Sequence, residues 1–164
     1  MLLDLGSGCR DAKLNAMTEQ RPLADLHAAS DRLWHEYWML RCVARTVADD
    51  AATAYALEES FALHLRNLYR FLRPERLGDN AITADDFLGA GWERPEPSAL
   101  LLEAVAWAER TLSPLDYAPA SAPRTWTLVQ ASFELQKLMD PFISSTPRRL
   151  LGPRWKIVYE GVVV

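Results

Sequence analysis

The chain has 164 residues, 49% of them hydrophobic and 24% charged, enough apolar material for one domain with its own core. Eighteen basic residues against 22 acidic ones leave a net charge of −4, which excludes a general nucleic-acid coat but not a local arginine patch. The two cysteines, Cys9 and Cys42, make neither a metal spacing nor a disulfide framework, and no apolar run is long enough to span a bilayer, so a cytoplasmic protein without membrane contact is expected.

Residues 1–20 have the polar, glycine-containing look of a flexible N-terminal segment. Leu3-Asp4-Leu5-Gly6-Ser7-Gly8 is similar to the glycine loop of Rossmann-type methyltransferases. That loop needs a buried strand before it and a βαβ unit around it, and only two residues precede Leu3. Met17 opens a more ordinary start, so residues 1–16 need not belong to the native product.

A first helix is predicted from Pro22 to Asp49, with Leu26, Leu33, Tyr37, Leu40 and Ala44 on one face. Trp34 and Trp38 lie on one flank and suggest a second contact surface. His27 and His35 read as surface or rim residues, and Glu36 adjoins His35 in sequence only. A di-metal site of the ferritin type would need Glu-x-x-His pairs on facing helices, which this chain lacks, so no metal and no cofactor are expected.

Asp49-Asp50 break the pattern, and the next helix, culminating in Tyr55–Leu72, is the most regular in the chain. Leu57, Phe61, Leu65, Leu68, Phe71 and Leu72 fall within an arc of about 120°. His64 lies inside that arc, flanked by Ser60 and Asn67, and reads as a buried histidine held by one of them or by a neighbouring helix. Arg66 is about 200° around the helix from His64, on the outer side with Arg70 and Arg73. One helix therefore cannot bring His64 and Arg66 to the same substrate atom. Arg66, Arg70, Arg73 and Arg76 form a solvated face that could grip phosphates.

Arg73-Pro74 ends this helix. In the linker that follows, Thr83 with Asp85-Asp86 reads as the cap of a short helical turn carrying Phe87 and Leu88. Leu88 and Trp92 are expected to pin the linker to the bundle. Ser98 caps a third long helix that stops at Ser113-Pro114, and a fourth is predicted from Arg124 to Met139, ended or kinked by Asp140-Pro141. The closing WKIVYEGVVV has the β-branched content of a strand with nothing to pair with inside a bundle; it could lie across the bundle, pair in a dimer or be disordered. The expected fold is an all-α, mostly up-down bundle of four to five helices over 21–146, with a short irregular or strand-like tail over 147–164.

Glu59-Ser60-Phe61, followed by His64, Arg66-Asn67-Leu68 and Phe71, resembles a helix of bacterial HEPN-like proteins related to abortive-infection factors. The resemblance continues through Asp86-Phe87, Trp92, Ser113, Leu115-Asp116-Tyr117 and Trp126, most of the chain from Trp34 onward. It implies a four- or five-helix bundle, a homodimer and, in active members, a metal-independent ribonuclease that uses an arginine and a histidine at a helix end. At the family-like histidine position this chain has Pro114, four residues after Arg110, and proline has no ring nitrogen to transfer a proton. Another arginine–histidine spacing, Arg21 to His27, falls at the start of the first helix.

The resulting expectation is a non-catalytic bundle in an interaction or defence (toxin–antitoxin or abortive-infection) module, with a partner protein from the same operon. The alternative is an RNA-binding or RNA-cleaving protein drawing on His64, Arg66, Asn67 and Arg110, with Arg66, Arg70 and Arg73 on the phosphates.

Overall fold

A computed structural model describes residues 21–74, 81–89, 91–113 and 124–155. Within them the chain forms α1 (Leu23–Arg45), α2 (Ala51–Leu72), a single turn α3 (Ala84–Leu88), α4 (Ala99–Thr111), α5 (Leu128–Ser145) and a closing 3-10 turn, Pro153–Trp155. No strand occurs among the described residues. The protein is an all-α bundle. The N-terminal segment, Pro114 with the proline-rich loop after it, Arg76 and residues 156–164 lie outside the described residues.

α2 is the hub. It packs against α1, α4 and α5, while α5 also packs against α1 and α4. Its apolar arc explains this position: Phe61, Leu65, Leu68, Phe71 and Leu72 are all buried, three of them completely.

The helix boundaries follow local chemistry. α1 stops at Arg45, four residues short of the predicted end at Asp49. Thr46 is extended, and both its N–H and its hydroxyl turn back onto the Cys42 carbonyl. Beyond it Val47 is 83% exposed, so further helical turns would bury nothing. Asp50 then caps α2, its carboxylate accepting from the Thr53 N–H at 2.9 Å. Ser98 caps α4 as predicted, accepting from the Leu101 N–H.

α5 is shifted against expectation. Arg124 to Trp126 are not helical; Thr127 is the cap, paired with Gln130 in a reciprocal capping box. The helix also continues past Asp140-Pro141 to Ser145. Proline in a helix interior costs about 3 kcal/mol through the lost hydrogen bond and the ring clash. The compensation lies one residue on. Phe142 is completely buried and meets Phe71, Phe87 and Trp92 edge-on, with centroids 5.1, 5.8 and 5.9 Å away. Ending the helix at Met139 would forfeit that aromatic cluster.

The cluster also fixes the linker. α3 starts as expected at Thr83, whose N–H donates to Asp86 Oδ2 at 2.7 Å, and ends at Gly89, where φ of +79° suits a residue without a Cβ. Phe87, more than Leu88, supplies the buried anchor, together with Trp92.

The packed body extends to Trp155, past the boundary expected at 146. Leu150, Leu151 and Trp155 are buried, and the Trp155 ring stacks on Tyr37 of α1. Ser30, completely buried in the α1 stripe, accepts the Gly152 N–H on its hydroxyl and the Trp155 indole N–H on its carbonyl. This segment packs on α1 as irregular chain and a 3-10 turn.

Candidate functional site

His64 faces into the bundle from the middle of α2, its side chain 8% exposed. Its partner comes from α1: Nδ1 is 2.7 Å from Glu36 Oε2. An ionised carboxylate can only accept, so Nδ1 carries the proton and donates. The same oxygen accepts from Asn67 Nδ2 at 3.2 Å. His64 and Asn67, three residues apart on α2, thus grip one carboxylate from a single helix face. The His35 ring stands nearly perpendicular to that of His64, centroids 6.0 Å apart, which places the exposed His35 beside this group.

Burial pushes the Glu36 carboxyl up. The hydrogen bonds from His64 and Asn67, and then the nearby imidazoles of His64 and His35, outweigh it and hold the group below its ordinary value. Glu36 is therefore an anion on the wall of a cleft of about 250 Å³ between α1 and α2. Leu33, Leu68, Phe71 and Ile82 give the cleft its apolar surface; Glu36, Asn67 and Arg32 are its polar groups. His64 is not part of the lining. It stands behind Glu36 and orients it.

The arginines singled out in the sequence do not gather around His64. Arg70 makes a two-pronged ion pair with Glu109 of α4, at 3.0 and 2.9 Å. Arg73 is half-buried, donating to the Pro95 carbonyl at 2.6 Å and lying 3.3 Å from Glu96. Arg66 is half-buried, with its Nε enclosed and without an acceptor. Arg110 is exposed on α4. Arg21 is tied to Asp86 and the Ala81 carbonyl, and His27 to the Arg149 carbonyl, so that pair serves to hold chain segments together.

The residue that sequence reasoning missed is Glu36. A signal was present: Leu33, Glu36 and Leu40 are spaced three and four apart, which sets a carboxylate beside the apolar stripe of α1. Among the described residues no group of three or more His, Cys, Asp or Glu side chains is placed to hold a metal ion, and no helix is long and apolar enough to cross a membrane.

Comparison with known proteins returns no matching family model, no similar curated protein and no similar solved structure.

Proposed function

We propose that this chain is a HEPN-like helical bundle without catalytic activity, acting in the cytoplasm as a homodimer within a bacterial defence module of the toxin–antitoxin or abortive-infection kind. The single observation that carries the non-catalytic part is the engagement of His64. Its ring is closed off by the bundle, its Nδ1 is committed to Glu36, and it does not reach the cleft surface. A general acid or base must come within hydrogen-bond reach of the proton it moves. Two of the arginines that would hold a phosphate are turned to acidic or carbonyl partners instead, Arg70 to Glu109 and Arg73 to Pro95 and Glu96, and the Nε of Arg66 is enclosed. The family part rests on the resemblance of the α2 segment and is supported, at the level of fold class, by the all-α bundle built around that helix.

Two measurements test it. Purified protein incubated with mixed single-stranded and structured RNA is expected to leave the RNA intact. Cleavage that disappears in His64→Ala, with the variant still folded by circular dichroism, would establish the ribonuclease reading in its place. Light scattering at micromolar concentration is expected to give twice the chain mass. A monomer would remove the homodimer, and co-expression with the product of the adjacent gene would then ask whether the partner is a different protein.

A further inference from the structure

We propose that the cleft between α1 and α2 binds a small zwitterion with an apolar body, of the class of apolar amino acids, its ammonium on Glu36 and Asn67 and its carboxylate on Arg32. The inference stands apart from the functional reading above, since a bundle of any function could carry such a site.

Consider first the acceptors. Both hydrogen bonds that Glu36 receives fall on Oε2, leaving Oε1 without a donor among the described residues. Asn67 must present its NH₂ to a carboxylate, so its Oδ1 is the amide atom left over. Glu36 and Asn67, both lining the cleft, therefore each keep an acceptor with no donor among the described residues, and one of the two is anionic. An ammonium group, with three N–H bonds and a positive charge, is the complement of that pair.

Arg32 supplies the opposite end. It precedes Glu36 by one helical turn, on the same side of α1, and lines the same cleft. Opposite charges at this spacing often pair, but the order with the cation first is the weaker one. No ion pair joins them among the described residues, and Arg32 is exposed. An exposed guanidinium matches a carboxylate in a two-pronged geometry that a lysine could not offer. Beside these charged groups Leu33, Leu68 and Ile82 present apolar wall, and about 250 Å³ accommodates a branched or aromatic side chain.

The test is calorimetric titration of the full chain with L-leucine, with 3-methylbutylamine, which lacks the carboxylate, and with 4-methylpentanoate, which lacks the amine. Leucine is expected to bind, and each half-ligand to bind at least tenfold more weakly. Arg32→Ala and Glu36→Gln should each weaken leucine about 10- to 100-fold, the range for a charged hydrogen bond. Because Glu36 also holds His64, Ile82→Trp provides a reading that leaves the polar group intact: it fills the cleft and should abolish binding in a protein that still melts cooperatively. No heat at leucine concentrations up to about 10 mM overturns the proposal, as does unchanged binding in Ile82→Trp. Equal affinity for leucine and 4-methylpentanoate would overturn it too, by showing that Glu36 and Asn67 do not meet the ligand.

Discussion

The Nδ1 atom of His64 and the Oε2 atom of Glu36 lie 2.7 Å apart, one from α2 and one from α1, and they join the two longest helices of the bundle at mid-height. The bond is largely shielded, with side-chain exposures of 8% and 25%. Removing one partner leaves the other buried without its complement, which costs about 1–3 kcal/mol. His64→Ala is therefore expected to lower unfolding free energy by that amount in urea melts. Glu36→Gln should cost less, because the amide oxygen can still accept from Nδ1. A double-mutant cycle should return a favourable coupling energy between the two positions. A coupling of zero would mean that the pair does not contribute to holding α1 on α2.

Stability should also depend on acid through Glu36. Its carboxyl sits below its ordinary value of 4.5 in the folded protein, so on passing downward through that region the unfolded chain takes up its proton first. The stabilisation is complete above the ordinary value and is lost as pH falls toward the folded one. Urea melts from neutral pH down through the carboxylate range should show a slope that Glu36→Gln reduces. A variant with the same slope as the parent would assign acid sensitivity to other carboxylates.

How much of this was visible in the sequence differs between elements. The α2 arc was legible because six apolar residues repeat at helical spacing, and the burial of His64 followed from its place within that arc. Its partner was only half legible: the spacing set Glu36 beside the α1 stripe, but nothing in a linear sequence says that this edge of α1 meets His64. The stop of α5 was misplaced because Pro141 is a local signal, whereas the burial of Phe142 among Phe71, Phe87 and Trp92 depends on residues up to 71 positions away. Local rules also said nothing of Ser30. A short polar residue between Leu26 and Leu33, it is the receptor for the Gly152–Trp155 turn. The cleft with Arg32, Glu36 and Asn67 needed both helices in place before it could be seen.

The C-terminal turn should be part of the folding unit. Trp155 is completely buried, stacks on Tyr37 with centroids 6.2 Å apart, and donates its indole N–H to the Ser30 carbonyl. Trp155→Ala is expected to cost about 3–5 kcal/mol, the range for deleting a buried aromatic ring. Trp155→Phe keeps much of the packing but leaves the carbonyl without its donor and should cost about 1–3 kcal/mol. Truncation after Thr146 should be at least as damaging as Trp155→Ala. Equal melting temperatures for the truncated and full chains would make the segment a dispensable strap.

Tyr37 gives an alkaline counterpart. Burial first, and the nearby negative charge of Asp140 second, push its phenol from the usual 10.0 up to about 12, against the opposing pull of Arg41. The folded state therefore keeps the proton longer than the unfolded one. This contribution is whole below pH 10 and declines as pH rises from there toward about 12. Tyr37→Phe should lose stability less steeply over that interval, measured by chemical denaturation alongside tyrosinate absorbance.

A last prediction concerns how α5 is fastened at its start. The Arg124 guanidinium lies over Trp107 of α4 at 4.9 Å and over Trp126 at 5.4 Å, while the two indoles meet edge-on at 5.5 Å. The same guanidinium is ion-paired with Glu58 of α2. Two helices, α2 and α4, and the segment leading into α5 thus converge on one planar cation. The ion pair is partly solvated and its share should be small, under about 1 kcal/mol on Glu58→Gln. Stacking on two shielded rings is the larger share, so Arg124→Ala should cost about 1–2 kcal/mol. Lysine keeps the charge but not the flat face, and Arg124→Lys should recover only part of that loss. Tryptophan fluorescence should shift to longer wavelength in both Arg124 variants as water reaches Trp107 and Trp126, and remain unchanged in Glu58→Gln. If Glu58→Gln proved as costly as Arg124→Ala, charge pairing rather than stacking would be what anchors this corner of the bundle.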